Sequence, residues 1–230
     1  MKILKNGIAI LEWDQWISKW IQEQGKLAFD FMEEEHIWPW LKPGDVVVDA
    51  GAYIGSCAAG MWEGIQPDGQ LFAFEPNPEA FEALRHNVPK ARLYNCALGK
   101  EVGTARLTLD PKNGGASRLS GGISRDKVVR TSVLPLDDLG LPQLNFIKLD
   151  VEGSEPDVIA GAIETIKRCR PVLFIEFNRG TLKRFGYTYD DITKQLLPMD
   201  YRPKFLKEKD SLDMDAFPQL DAFMVPSELL

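Results

Sequence analysis

The chain has 230 residues, 44% of them hydrophobic, enough to bury one sizeable core, and a formal net charge of −7 that argues against a nucleic-acid partner needing a basic face. Its three cysteines (Cys57, Cys96 and Cys169) show no CxxC or metal-type spacing and read as small buried thiols of a reducing compartment. No apolar window approaches the ~18 residues of a membrane span and the first residues lack a signal-peptide core, so the expectation is a soluble cytoplasmic protein.

In chain order, Trp13, Trp16, Ile17, Trp20 and Ile21 recur at helical spacing and predict an amphipathic helix over 14–24. Five of the six tryptophans fall in the first 40 residues, so this helix is either packed on the domain, a lid whose rings stack on a sugar, or a homo-oligomer interface. The run Glu33-Glu34-Glu35 reads first as a solvated stretch. Residues 1–42 are therefore expected to form a helical extension or lid, and 43–230 the catalytic domain. Val46, Val47 and Val48 form a β-branched run suited to a strand buried on both faces, followed by a helix over 55–64 and a second strand over 70–75. Asn77 is a natural N-cap with Pro78 at the first helical position, and 91–95 reads as a third strand. Segments 104–109 and 127–134 alternate as an antiparallel pair around a Gly/Ser-rich loop of about 17 residues, whose length suggests a lid contacting substrate through Ser117 and Arg118. Strands at 144–149 and 171–177 follow, separated by a helix opening at Gly153-Ser154, with Glu155 and Asp157 favouring its positive end. A helix near 189–197 and strands near 202–206 and 221–225 complete the chain. The alternation predicts an α/β doubly wound sheet with ligands at the strand carboxyl ends.

The stretch Gly44-Asp-Val-Val-Val-Asp-Ala-Gly-Ala-Tyr-Ile-Gly55 carries the functional signal. A strand ends in an acid and two glycines and opens directly into a helix, whose free N–H groups face a ligand. Twenty-four residues after Gly51, Glu75 closes the second strand, where a carboxylate can accept both hydroxyls of a ribose. A nicotinamide dinucleotide requires G-x-G-x-x-G, and the middle glycine is missing here. Asp49 suits the ammonium and sulfonium end of S-adenosylmethionine better than a pyrophosphate.

These residues, with Phe74-Glu75-Pro76, Asn95-Cys-Ala-Leu98, Phe146-Ile-Lys-Leu-Asp-Val-Glu-Gly-Ser-Glu155 and Arg170-Pro-Val-Leu-Phe-Ile-Glu176, closely resemble the FkbM-type methyltransferase family. The resemblance runs from about Pro43 to Glu176, more weakly over 221–225. It implies a Rossmann-like class I methyltransferase sheet, mostly parallel and seven-stranded, with an antiparallel last strand and helices on both faces. It further implies S-adenosylmethionine held by Asp49, Gly51, Ala52, Tyr53, Gly55, Ser56, Glu75, Pro76, Asn95, Ala97 and Asp150, with Asn95, Ala97 and Leu98 against the adenine. In this family an acid near Glu33-Glu34-Glu35 can face the methionine amino group. One departure is plain: the family usually has asparagine where this chain has Tyr53.

The implied activity is O-methylation of a sugar, glycan or secondary metabolite. Such a hydroxyl is a poor nucleophile and needs a base or a metal. Asp150 is the first choice of base and Glu176 the second. Lys148, two residues before Asp150, shares its strand face and would keep it charged. Glu152, Glu155 and Asn178 converge there as acceptor-binding groups, and Asp150, Glu176 and Asn178 could supply hard oxygens to magnesium. Two alternatives stay open: a non-catalytic cofactor-binding relative acting through interactions, and an NAD(P)-dependent reductase.

Overall fold

The computed structural model describes residues 1–27, 36–120, 127–206 and 218–230; the Glu33–Glu35 run and the Gly121–Ser124 part of the long loop lie outside the described residues. A short antiparallel ladder, β1 (Lys2–Ile3) with β2 (Ala9–Ile10), leads into α1 (Ile17–Gln24). Gly25, in the left-handed region, ends α1 by donating its N–H to Ile21 O. The apolar side of this segment, Ile10, Leu11 and Ile21, packs on Tyr53, Ile54, Ala80 and Ala83.

The central layer begins with β3 (Val46–Ala50), every residue of which is buried. It continues through α2 (Ser56–Gly64), β4 (Gln70–Phe74), α3 (Pro78–Asn87) and β5 (Arg92–Tyr94). The Asn77 side chain caps α3, accepting the Glu79 N–H at 3.0 Å, as the sequence predicts. Next come β6 (Ala97–Leu98), β7 (Gly103–Thr108), β8 (Arg118–Ser120) and β9 (Val128–Leu134). Then follow β10 (Phe146–Leu149), α4 (Glu155–Ala160), α5 (Ile163–Cys169), β11 (Val172–Asn178), α6 (Arg179–Arg184), α7 (Tyr189–Leu196), β12 (Tyr201–Phe205) and β13 (Gln219–Pro226).

Seven strands form one sheet in the order β12-β13-β11-β10-β3-β4-β5. β3, β4, β5, β10 and β11 run parallel, while β13 is antiparallel to both of its neighbours. The expected sheet, with its antiparallel last strand, is therefore the one observed. Side-chain alternation along β3 divides the core: Val46 and Val48 face Val158, Ile166, Leu182 and Ile192, whereas Val47 faces Ala58, Met61 and Leu84. Helices thus cover both faces. From β3 the chain winds outward to β4 and β5, then returns to β10 on the other side. The carboxyl end of β3 is the switch point where such sheets bind ligands.

A second sheet, β6-β9-β7-β8, stands beside the first. Its β7–β9 pairing is the predicted antiparallel pair. Within the predicted long loop, Arg118–Ser120 adds a strand, β8, to β7, with Leu119 opposite Leu107. Three residues among glycines and serines give no periodic signal, so only the cross-strand pairing reveals this strand. The helical run after Ser154 divides into α4 and α5 where the chain passes residue 99. A Cβ at Gly161 would lie 2.0 Å from Gly99 O. No helix among the described residues is long and apolar enough to cross a membrane.

Candidate active site

A cavity of about 500 Å³ opens at the carboxyl ends of the parallel strands, within the size range of ligand pockets. Its first wall is the turn after β3. The N–H groups of Gly51 and Ala52 both donate to Phe74 O at 3.0 Å, fastening the turn to β4. Gly51 has φ +82°, and a Cβ there would sit 1.9 Å from Asp150 O. Gly55 has φ +94°, with a Cβ position 2.8 Å from Val88 Cγ2. A Cβ at either glycine would thus meet the protein's own atoms; Gly51 lines the cavity and Gly55 does not.

Tyr53 adopts φ 49°, a left-handed conformation uncommon outside glycine and asparagine. Its N–H donates to Glu75 Oε2 at 2.8 Å, and the Asn77 N–H donates to Glu75 Oε1 at 2.7 Å. Glu75 lines the cavity at 6% exposure, and burial lifts its pKa to about 7 against the pull of those two backbone bonds. Each of its oxygens keeps a lone pair able to accept a hydroxyl. The Tyr53 side chain, pushed up by burial and then by the Asp14 carboxylate, fills the space between this turn, the N-terminal segment and Gly114. A Cβ on Gly114 would fall 2.2 Å from the Tyr53 hydroxyl oxygen. The Gln15 N–H donates to Lys112 O at 2.8 Å and ties the N-terminal segment to the same loop.

The floor is ionic. Lys148, 2% exposed, sits 3.4 Å from Asp49 Oδ1 and 3.2 Å from Asp150 Oδ2. Burial opposes its charge, but the Asp150 and Asp49 carboxylates override this and hold its pKa well above the ordinary lysine value. Burial raises Asp49, with Lys148 opposing. Asp49 is fully buried and lies off the cavity wall, so the ammonium it meets is that of Lys148 and not one in the cavity. Of the residues expected at the cofactor, Asp49 is thus one that the cavity wall does not include. β3 and β10 pair in register, which places residues 49 and 148 side by side. Neither Asp49 oxygen makes an aligned hydrogen bond.

Around this floor stand three more acids. Asp150, 42% exposed, is the accessible member of the ionic group. Glu152 lines the cavity at φ +56°, a second non-glycine residue in the left-handed region. Burial, then Asp150 and Glu155, raise it to about 7, with Arg184 and Arg118 opposing. Glu176 accepts a bond from Gln219 Nε2 at 2.7 Å, while its Oε2 is buried without a hydrogen bond. Burial, followed by the Asp150 and Glu152 carboxylates, drives Glu176 to about 9, so it carries a proton at neutral pH.

Other expected site residues are placed elsewhere. Glu155 is 1% exposed and its Oε1 accepts the Val151 and Gly153 N–H groups at 3.1 Å, shaping the loop after β10 instead of meeting an acceptor. Asn178 Oδ1 caps α6 through Gly180 N–H at 3.0 Å and Thr181 N–H at 3.2 Å, which turns it from the acceptor and from the expected magnesium set. Among the described residues, no three His, Cys, Asp or Glu groups are spaced to hold a metal ion. Asn95 is exposed and donates to Glu75 O at 2.8 Å, anchoring the end of β4 from outside. Arg118 also lies off the wall. Ala52, Ser56, Pro76, Ala97 and Ser117 all line the cavity as expected. Phe74, Cys96, Leu107, Leu119, Gln219 and Asp221 join them unanticipated, and Trp16, Ile17 and Trp20, from the segment read as a packed helix, lid or interface, line the cavity as well. Asp221 comes from the antiparallel partner of β11, directly opposite Glu176. No local motif announces such a pairing.

The residues suit S-adenosylmethionine: Glu75 presents unused lone pairs for a ribose beside the apolar surface of Phe74, Cys96, Ala97 and Leu98. Comparison with known proteins agrees with this layout. The 2-O-methyltransferase NoeI of Sinorhizobium fredii is 33% identical, matching 56% of this chain and 62% of its own length. The hexuronic acid methyltransferase AglP of Haloferax volcanii is 27% identical over 66% of this chain and 61% of its own. The chain therefore spans about three fifths of these relatives. A crystal structure of methyltransferase FkbM from Methylobacillus flagellatus superposes with a TM-score of 0.53 at 21% identity, covering 78% of this chain and 43% of that one, which establishes the shared fold. The methyltransferase FkbM domain matches residues 49–203, and the chain belongs to that family.

Proposed function

We propose that this protein is an S-adenosylmethionine-dependent O-methyltransferase acting on a hydroxyl of a sugar, glycan or secondary metabolite. The observation that carries the reading is the sharing of one switch-point cavity by Glu75, with hydroxyl-accepting lone pairs, and Asp150, an accessible carboxylate. When bound, S-adenosylmethionine supplies an electrophilic methyl group on a sulfonium. Glu75 holds the ribose hydroxyls, and the surface of Cys96, Ala97 and Leu98 receives the base. Asp150 takes the acceptor hydroxyl proton as the oxygen attacks, and Lys148 at 3.2 Å fixes that carboxylate in place. Glu176 keeps its proton at neutral pH and serves as a hydrogen-bond donor instead of the base. A magnesium-assisted variant would require Asn178 to abandon the α6 cap, so the base mechanism is preferred. The three unbridged cysteines are in keeping with a reducing, cytoplasmic setting.

The test is transfer of labelled methyl from S-adenosylmethionine to a panel of glycosides and polyols. Asp150→Asn is expected to lose about 10²- to 10⁴-fold in kcat while binding S-adenosylmethionine normally. Near-full turnover in that variant would exclude Asp150 as the base.

A further inference from the structure

The cavity lining combines two unlike kinds of surface: the aromatic and apolar side chains of Trp16, Trp20 and Leu119, and the carboxyl groups of Glu152, Glu176 and Asp221. Trp16 is 65% exposed although it lines the cavity, so its indole meets solvent at the rim rather than a packed core. Glu176 Oε2 is buried with no hydrogen-bond partner. The rim segment is held in place: Asp14 Oδ1 accepts the Trp16 N–H at 3.2 Å, and Gln15 is bonded to Lys112 of the facing loop.

A pyranose matches both kinds of surface. One face of the ring presents C–H groups that an indole face attracts, and its edge presents hydroxyls that carboxyl and carboxylate oxygens accept. The charge is also selective. Lys148 is the cavity's one basic lining residue among the described residues, and it is already matched by Asp49 and Asp150. Arg184 and Arg118 act on Glu152, but neither lines the cavity. An acceptor carboxylate, sulfate or phosphate would meet the Asp150 carboxylate and, among the described lining residues, no cation not already committed to an acid.

We propose that Trp16 and Trp20 form the platform for a pyranose acceptor that carries no anionic group, neutral or amine-bearing sugars being accepted and uronates rejected. This rests on the methyltransferase reading above and specifies the acceptor of that same cavity.

The test uses the full chain saturated with S-adenosylhomocysteine. Binding of methyl glycosides of neutral hexoses, 2-amino hexoses and hexuronates is measured by saturation-transfer NMR and calorimetry. Neutral or amino glycosides should bind at least about tenfold more tightly than the matching uronates, and Trp16→Ala should weaken them by about tenfold or more. Trp16→Phe, which keeps an aromatic face, should recover most of the loss. Equal or tighter uronate binding overturns the inference, as does unchanged glycoside binding in Trp16→Ala. If Trp16→Ala instead changes only the sedimentation of the protein, the indole belongs to a subunit contact and the inference falls. S-adenosylhomocysteine binding without binding of any glycoside defeats this proposal alone; absence of S-adenosylhomocysteine binding defeats the methyltransferase reading itself.

Discussion

Replacing Lys148 by methionine isolates what the ionic floor contributes. The substitution keeps a long side chain in a site 2% exposed but removes the cation between two carboxylates. Asp150 is 42% exposed, so water can take over its solvation. Asp49 is fully buried, and its oxygens have no aligned hydrogen bond to fall back on. Stranding one member of a buried pair costs about 3–5 kcal/mol, and the burden here falls on Asp49. In a domain of this size, 1 kcal/mol moves Tm by roughly 2–4 °C, so the expected drop is about 6–20 °C. The loss must depend on pH. Burial already raises Asp49 above its unfolded value of 3.8, and removing Lys148 raises it further. A carboxyl raised by folding favours the protonated native state. Its stabilising effect is full below the unfolded pKa and is lost as pH climbs through the folded one. The variant should therefore be much less impaired at pH 5 than at pH 8. Adding Asp49→Asn should restore most of the stability, because the uncompensated charge is gone. Urea denaturation followed by circular dichroism, at both pH values, measures all three proteins. A loss below about 1 kcal/mol at pH 8, or an equal loss at pH 5, would refute the reasoning.

Gly51→Ala should destabilise the fold well beyond the 1–2 kcal/mol of a left-handed residue, because its Cβ would lie 1.9 Å from the backbone of Asp150. Gly55→Ala should be milder, since its contact at 2.8 Å is the side chain of Val88, which can move; thermal melts of the two variants check the order. Glu176, held near 9 in the folded protein, makes stability fall as pH rises from about 4.5 toward 9, so Glu176→Gln should raise Tm at pH 8.5 and flatten that slope. A Tm no higher than wild type at pH 8.5 would show that the carboxyl is not held protonated.

Much of this architecture is local and was open to reading from the sequence. The valines at 46–48 define a strand covered on both faces, Glu75 marks the end of the next strand, and Asn77-Pro78 starts α3 in the expected way. The Lys148–Asp150 pair follows from side-chain alternation along one strand. What escaped depends on distant partners. Lys148 also claims Asp49, a match fixed by the β3–β10 register and not by either segment alone. Asn178 and Glu155 look like site residues by spacing, yet Asn178 Oδ1 and Glu155 Oε1 are each taken up by two nearby N–H groups. Asp221 reaches the cavity only because β13 inserts antiparallel beside β11. Gly51 and Gly55 carry the right signal for a different reason: the protein's own chain occupies the space a Cβ would need.

The most direct measurement is a calorimetric titration of the purified protein with S-adenosylmethionine, alongside Glu75→Gln shown by circular dichroism to be folded. The expected result is saturable one-to-one binding in the wild type, weakened at least about tenfold in the variant because a ribose-accepting oxygen is lost. A folded wild-type protein that takes up no S-adenosylmethionine would contradict the assignment of this cavity.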